Sequence, residues 1–322
     1  MNERRGRRLL AIGELLIDFS GNRPGTIESV DAFVRHPGGA PANVAVQYAR
    51  LGGQAKLITK LGEDMFGDFL RSVMEKNGVD CGAIVRTAEA HTGLAFVTLA
   101  EDGERDFVFY RHPSADMLLR PEEIDPADFR ERDILHFCSV DLVDAPVRAA
   151  HDRAIGLAIQ RRMLVSFDPN LRFALWPDRE ELKRIVWTYL PYADVLKVGA
   201  DEATFLTGGA DESSWQTLIR GNVRLLVVTR GPDGATLFTR ASRFDVPGIP
   251  VETVDTTGAG DSFIAAFLYS LVHSDVDRDR LERDPEALRK ALRFANRVAS
   301  VVVTRYGAIP AMPSFSEVGE PR

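Results

Sequence analysis

The chain has 322 residues, of which 45% are hydrophobic and 27% charged, and its formal net charge is −7 at pH 7. This is the composition of a globular protein, and its acidic balance argues against nonspecific binding to nucleic acid or to an anionic membrane. The longest apolar run, residues 263–272, is too short to span a bilayer. With only two cysteines, Cys81 and Cys138, no disulfide framework is available, and we expect a reducing, cytoplasmic location.

Short apolar segments rich in β-formers alternate with longer segments of helical spacing. The apolar segments lie at 7–13, 55–62, 133–139, 163–168, 193–198 and 224–231. The helical segments lie at 40–51, 65–77, 145–162 and 178–190. This alternation predicts an α/β fold whose central sheet is mainly parallel and is flanked by helices. Ligands in such sheets bind outside the carboxyl ends of the strands.

Two stretches break the alternation, at about 15–35 and 92–111, and both show period-2 patterning. The second contains Asp102-Gly103, a turn signal that predicts a β-hairpin. Strands without crossover helices indicate a small β-sheet standing off the main sheet, a candidate lid. No linker divides the chain, so we predict one domain over residues 1–322.

The segment 36–67 places glycines in front of a predicted helix. Gly38 and Gly39 follow Pro37 and allow the backbone to approach a ligand closely. Asn43 lies near the helix start, and its amide both donates and accepts hydrogen bonds, which suits a sugar. A tight loop in which Asn43 satisfies local backbone explains this segment alone equally well.

The string DTTGAGDSF occupies residues 255–263 and leads into another predicted helix. Gly258, Ala259 and Gly260 form the turn at the helix N-terminus, where unpaired amides and the helix dipole create an anion site. A dinucleotide fingerprint would need a small residue where Phe263 stands, and no Walker A string is present. A glycine-rich turn with a capping aspartate remains the simpler interpretation.

That simpler interpretation leaves Asp261 unexplained, because a carboxylate beside an anion site repels a phosphate. A base that removes a hydroxyl proton while neighbouring amides hold the developing charge accounts for its position.

Together these segments resemble the signatures of the ribokinase-like carbohydrate kinases, the PfkB family, and within it the fructokinases. GGAPANVAVQYARLGG with LGEDMFG is similar to the first signature and DTTGAGDSF to the second. Further similar segments, at 107–125, 167–177, 228–234 and 307–313, extend the resemblance over residues 9 to 313.

The resemblance implies a ribokinase-like fold with a β lid over the sugar, and ATP-dependent phosphorylation of D-fructose at its 6-hydroxyl. A 2-keto-3-deoxygluconate kinase or a ribokinase is the alternative within the family. A sugar or nucleotide sensor without catalysis is the alternative of another class. The exposed edges of the predicted β lid also favour a homodimer that associates through the lid.

Roles for the sugar side follow from the matched motifs. Asp261 is the implied catalytic base, and the amides of Gly258, Ala259 and Gly260 are the implied anion hole. The implied sugar-binding residues are Asp18, Gly38, Gly39, Asn43, Arg111 and Arg172, with a surface salt bridge as the alternative for each arginine. Phe96 and Phe109 on the predicted hairpin are candidates for the sugar-facing side, with core packing as the alternative.

The nucleotide side follows in the same way. The implied ATP-binding residues are Lys197, Glu202, Thr229, Gly231, Gly234 and Asn296. Glu202 would organise Mg²⁺ through water, although the first position of its N-x-x-E motif is here Gly199. The resemblance also provides for a monovalent cation such as K⁺ at Asp255 and Thr257.

Overall fold

A computed structural model of the chain describes residues 7–23, 25, 29–99, 105–176, 178–274 and 278–320. The strands, numbered along the chain, are β1 (Leu9–Ile12), β2 (Leu16–Gly21), β3 (Phe33–Gly38), β4 (Ala55–Gly62), β5 (Val79–Thr87), β6 (Leu94–Leu99), β7 (Arg105–Tyr110), β8 (Ile134–Phe137), β9 (Leu164–Phe167), β10 (Val195–Gly199), β11 (Leu225–Thr229), β12 (Ala235–Phe238) and β13 (Arg243–Val246). The helices are α1 (Ala40–Arg50), α2 (Met65–Lys76), α3 (Pro146–Gln160), α4 (Arg179–Tyr189), α5 (Ala200–Thr207), α6 (Glu212–Gln216), α7 (Ala259–His273), α8 (Pro285–Val302) and α9 (Phe315–Val318).

Nine strands form one central sheet in the order β13-β12-β11-β10-β9-β8-β1-β4-β5. The pairs from β11 to β5 are parallel, and β12 and β13 close one edge in antiparallel pairing. Strands with both faces covered are apolar on both sides, which explains the continuous apolar runs in the sequence. The predicted fold, a mainly parallel sheet flanked by helices with a smaller β-sheet, is confirmed.

Two apolar cores lie on opposite faces of this sheet. Leu9 and Ala11 of β1 belong to the core that includes α1, α7 and α8. Leu10 and Ile12, their neighbours in the strand, belong to the core that includes α3 and α4. Successive strand residues point to opposite faces, so the two helix layers pack on either side of one sheet.

The lid is a four-stranded sheet of order β3-β2-β6-β7, in which only β2 and β6 pair in parallel. Its strands lie close to the predicted stretches. The turn predicted at Asp102-Gly103 lies outside the described residues. Asp18, paired with His36 on one side and Ala95 on the other, defines the face of the lid that lines the cavity described next.

Candidate active site

The start of α7 is held in a tight loop. Gly258 is the N-cap with φ 76°, and a Cβ there would lie 2.8 Å from the Cβ of Ala308. The Asp255 carboxylate accepts bonds from the Thr257 amide (2.9 Å) and hydroxyl (2.6 Å), and from the amide of Gly307 (2.9 Å). Asp255 therefore fastens the turn before α7 to the loop that carries Ala308.

The three predicted anion-hole amides are not equivalent. The amide of Ala259 donates to the carbonyl of Thr256 at 3.2 Å, whereas no protein acceptor for the amides of Gly258 and Gly260 is found among the described residues. A Cβ on Gly260 would lie 2.9 Å from Nζ of Lys197. Because Gly260 has no side chain, the Lys197 ammonium can lie close to the start of α7. This end of α7 is suited to a multiply charged anion.

Asp261 lies in the first turn of α7 and is 8% exposed. Nδ2 of Asn43 donates to its Oδ2 at 2.8 Å, and Nδ2 of Asn170 approaches its Oδ1 at 3.4 Å. Burial raises the pKa of Asp261, while the Asn43 bond and the charges of Lys197 and Arg172 oppose that rise. Asn170, which the sequence did not single out, is therefore the second amide that orients this carboxylate.

Lys197, within β10, and Asp168, immediately after β9, form a buried ion pair. Nζ of Lys197 donates to Oδ2 of Asp168 at 2.9 Å. The second oxygen, Oδ1 of Asp168, is buried without a hydrogen-bond partner, and burial raises the pKa of this carboxyl to about 7. Asp168 is not among the site residues predicted from the sequence, and the structure adds it to the site.

Glu202 is fixed by two backbone amides. Its Oε2 accepts from Gly199 at 2.7 Å and its Oε1 from Leu171 at 2.6 Å. The hydrogen bond from Gly199 to Glu202 uses only the backbone amide of residue 199. The cap at the start of α5 is therefore kept although glycine occupies this position. The second bond ties α5 to the loop that carries Arg172.

A cavity of about 570 Å³ lies between the lid and the start of α7. Among its lining residues are Glu14, Asp18, Gly39, Asn43, Phe109, Arg172, Lys197, Gly258, Gly260 and Asp261. Gly38 does not line it, but a Cβ at this position would lie 2.0 Å from Oδ2 of Asp18. Gly38 therefore makes room for the Asp18 carboxylate rather than lining the cavity.

Phe96 does not take the predicted place. It is paired with Phe19 and Val108, so it lies on the lid face opposite Asp18, where its ring stacks on Phe19 at 5.0 Å. Phe109 lies on the face of Asp18 and lines the cavity. Because side chains alternate along a strand, the aromatic residue that faces the cavity is Phe109, and the prediction for Phe96 is wrong.

Arg111 also departs from the expected contact. It is 2% exposed, and its guanidinium pairs with the buried carboxylates of Asp116 and Asp141. It does not line the sugar-side cavity, because these two acids hold it at the base of the lid. Arg172 does line that cavity and donates from Nη1 to the carbonyl of Leu171 at 3.2 Å.

A second cavity of about 500 Å³ adjoins the first, and both are lined by Thr256 and Gly260. It brings together the predicted nucleotide residues Thr229, Gly231, Gly234 and Asn296 with the apolar side chains of Ile249, Val251, Phe263 and Val303. The apolar walls suit a planar base, and the shared end at Gly260 suits its phosphates. Asn296 also donates from Nδ2 to the carbonyl of Pro247 at 3.1 Å.

The described residues of the site offer few side chains that could coordinate a metal ion. Within the described ranges, no group of three or more His, Cys, Asp or Glu side chains is placed to hold one. A magnesium ion that rests on phosphate oxygens and water needs only one or two carboxylates, and the unpartnered Oδ1 of Asp168 fits that need. In the part of the chain that is described, no helix is long and apolar enough to cross a membrane.

Comparisons with known proteins agree with this geometry. Residues 7–314 match the pfkB family of carbohydrate kinases. The sequence is 44% identical to "Probable fructokinase-4" of Arabidopsis thaliana over 313 residues. These aligned residues cover 96% of this chain and 95% of that protein.

Two solved structures are similar over nearly the whole chain. Fructokinase from Xylella fastidiosa with bound ATP superposes with a TM-score of 0.89 at 40% identity, over 97% of this chain and 96% of that one. Fructokinase from Vibrio cholerae O395, in a form with fructose, ADP and calcium ion, has a TM-score of 0.87 at 34% identity over 98% of both chains.

Proposed function

The chain belongs to the pfkB family of carbohydrate kinases, and we propose that it phosphorylates D-fructose with ATP at the 6-hydroxyl. One observation carries this proposal. Asp261, held by Asn43, lies where the cavity lined by polar groups meets the cavity with apolar walls, at the start of α7. A sugar hydroxyl in the first cavity and a γ-phosphate at the shared end would meet at this carboxylate.

The transfer uses few protein groups. The sugar binds with its hydroxyls on Asp18 and Asn43, since a carboxylate accepting O–H groups makes charge-assisted hydrogen bonds. Asp261 takes the proton of the sugar's 6-hydroxyl. At the same time the hydroxyl oxygen bonds to the γ-phosphorus of ATP, and the bond between the γ-phosphorus and the oxygen that bridges to the β-phosphate breaks. The amides of Gly258 and Gly260, with Lys197 and Arg172, stabilise the charge on the transferred group.

Cations complete the charge balance. Glu202, through water, and Asp168 would hold a divalent ion that accompanies ATP, and this ion would supply positive charge near the phosphate oxygens. The loop fastened by Asp255 and Thr257 lies directly behind the anion site and is our candidate for a monovalent cation such as K⁺.

Fructose is favoured over an acidic sugar by the state of Arg111. A 2-keto-3-deoxygluconate carboxylate needs a cation, and Arg111 is already neutralised by Asp116 and Asp141. Among the described residues that line the sugar-side cavity, Arg172 and Lys197 are the cationic ones, and both lie toward the phosphate side with Asp261. An uncharged sugar therefore suits this cavity best.

A sugar panel tests the substrate. With MgATP in excess, kcat/KM for fructose should exceed those for glucose, ribose and 2-keto-3-deoxygluconate by at least about tenfold, which corresponds to about 1.4 kcal/mol of discrimination. The same assay with K⁺ replaced by tetramethylammonium tests the monovalent site. Higher kcat/KM for another sugar would overturn the fructose assignment while leaving the kinase assignment intact.

We further propose that two copies associate through the lid. The edge strands β3 and β7 present unpaired backbone, and Val34, Val108 and Tyr110 on them are 51%, 53% and 64% exposed. Exposed edges with apolar side chains favour pairing with a second chain.

Binding of ATP also agrees with the cytoplasmic location predicted from the two cysteines, which are both free and buried.

Charge placed on this edge should separate the copies. We expect the double variant Val108→Glu/Tyr110→Glu to run as a monomer in light-scattering chromatography at concentrations where the wild type is a dimer. Tyr192→Glu, a matched change at a residue 42% exposed near the end of α4, should leave the dimer intact. A dimer that persists in the lid variant places the interface elsewhere.

A further inference from the structure

A third cavity, of about 230 Å³, lies at the end of the central sheet opposite the active site, and the mechanism above does not use it. Arg162 lies two residues before β9, and Asp168 follows that strand directly. At about 3.3 Å per strand residue, these two backbone positions lie about 20 Å apart. The cavity is therefore separate from the sugar and nucleotide cavities. Its charged lining residues are Arg7, Glu131, Arg132, Arg162, Arg278 and Asp279.

Three of these arginines occupy one register position at the start of adjacent parallel strands. Leu9 of β1 is aligned with Ile134 of β8, which is aligned with Leu164 of β9. An arginine stands two residues before each of them, at positions 7, 132 and 162. Because neighbouring strands lie about 4.8 Å apart, the three guanidinium groups enter the cavity from a row across β1, β8 and β9.

Two members of this row keep a side chain where the backbone favours glycine. Arg132 has φ 71° and Arg162 has φ 55°, both left-handed values. Among the described residues, Asn170 is the one other non-glycine residue with a positive φ, and it approaches the Asp261 carboxylate in the active site. This conformation is uncommon in residues with a side chain and clusters at functional sites. The backbone thus points to a role for these two guanidinium groups.

Positive charge exceeds negative charge around this cavity. Arg278 is held by the fully buried carboxylate of Asp194 at 2.9 Å. Asp279 accepts from Arg162 at 2.6 Å and lies 3.8 Å from Arg224. The pair of Arg162 with Asp279 is exposed, so it contributes little stability and leaves Arg162 able to turn to an anion.

The lining residues and these ion-pair partners together leave two positive charges in surplus, although the net charge of the chain is −7. Five described arginines meet three described acids. The arginines are Arg7, Arg132, Arg162, Arg224 and Arg278, and the acids are Glu131, Asp194 and Asp279.

We propose that this cavity binds a small phosphate dianion. A guanidinium fork matches two phosphate oxygens and makes charge-assisted hydrogen bonds to both. A phosphate group carries a charge of about −1.5 to −2 at pH 7, which balances the two surplus positive charges. The cavity is smaller than the range of about 300–1,000 Å³ that holds drug-sized ligands, so it fits a phosphoryl group rather than a nucleotide. The ligand is inorganic phosphate, or the phosphate end of a monoester whose remainder stays outside.

Calorimetry with inorganic phosphate and with glycerol 2-phosphate, at constant ionic strength, tests this site. An excess of a non-hydrolysable ATP analogue occupies the anion site at the start of α7, so the binding that is measured belongs elsewhere. We expect Arg132→Asn/Arg162→Asn to bind phosphate at least about tenfold more weakly, because each lost guanidinium removes charge-assisted hydrogen bonds. Asparagine is chosen because it tolerates the left-handed conformation. Arg293→Gln, at an exposed arginine of α8, should bind phosphate as the wild type does.

Thermal unfolding supplies a second measurement, which does not depend on turnover. Phosphate at ten times its dissociation constant should raise the Tm of the wild type by about 2 °C and leave that of the double variant unchanged. If the double variant does not fold, Arg162→Asn alone, at a side chain that is 65% exposed, should show a smaller loss of phosphate affinity. Binding of only one of the two phosphates supports the proposal and identifies the source of the phosphate group. Absence of binding of both by the wild type, or wild-type affinity in these variants, would overturn the proposal.

Discussion

Asp261→Asn should lower kcat by about 10²–10⁴-fold, the range that a positioned general base contributes. The amide is nearly isosteric with the carboxylate, and its oxygen can still accept the bond from Asn43. The loss should therefore fall on turnover, while the dissociation constants for fructose and ATP, measured by calorimetry, stay close to wild type. Asp144→Asn, at a side chain that is 99% exposed, is the matched control and should retain full activity.

The pH dependence gives a second readout of the same residue. A base must be ionised, so activity is present above its pKa and is lost as pH falls through it. Burial raises the pKa of Asp261 above its ordinary value. The acid limb of kcat/KM for the wild type should therefore lie above the pH expected of an exposed aspartate, and the residual activity of Asp261→Asn should lack that limb.

This variant also separates an enzyme from a sensor. A protein that only binds sugar and nucleotide has no need of a carboxylate at the meeting point of two cavities, because that charge weakens phosphate binding. Unchanged turnover in Asp261→Asn would remove the base assignment. Absence of turnover in the wild type, with both ligands bound, would instead support the sensor.

The part of the site that the sequence predicts well is local. Gly258, Gly260 and Asp261 are adjacent, and an anion site at a helix start follows from backbone geometry over a few residues. Asn43 was predicted through its own motif, but its bond to Asp261 spans 218 positions. The sequence indicates that both residues matter, and only the fold shows that they touch.

The lid shows why some assignments fail. Whether Phe96 or Phe109 faces the sugar depends on strand register, and a shift of one residue moves every side chain to the other face. Period-2 patterning predicts the strands but does not state which face is covered. The register of β6 on β2, with Asp18 opposite Ala95, determines the answer.

The roles of residues in irregular segments could not be predicted from the sequence for another reason. Asp168 comes directly after β9 and Asn170 lies two residues further along the chain. No hydrophobic periodicity in this segment indicates which of its side chains lie in the site. Arg111 was expected at the substrate because the matched family motifs imply an arginine there, and its two acidic partners, 5 and 30 positions away, form no motif that would have indicated otherwise. Such pairings are set by tertiary packing, so they appear only when the strands are in place.

Gly258→Ala should be the second most damaging change, and its reason is steric. Gly258 has φ 76°, and an added Cβ would meet the Cβ of Ala308 at 2.8 Å. The start of α7 must move to relieve this contact, which displaces the amides that face the phosphate. We expect kcat to fall by about 10²–10³-fold, the cost of losing one donor to a developing negative charge.

Gly78→Ala separates the contact from backbone strain. Gly78 has nearly the same conformation, φ 77°, but a Cβ there meets nothing within 4 Å. Both variants should lose about 1–2 kcal/mol of unfolding free energy through the left-handed conformation, measured by denaturant titration. Only Gly258→Ala should lose turnover, and adding Ala308→Gly should restore part of it, because the Cβ it meets is gone. Equal kcat in the two single variants would show that the closeness of Gly258 to Ala308 does not serve catalysis.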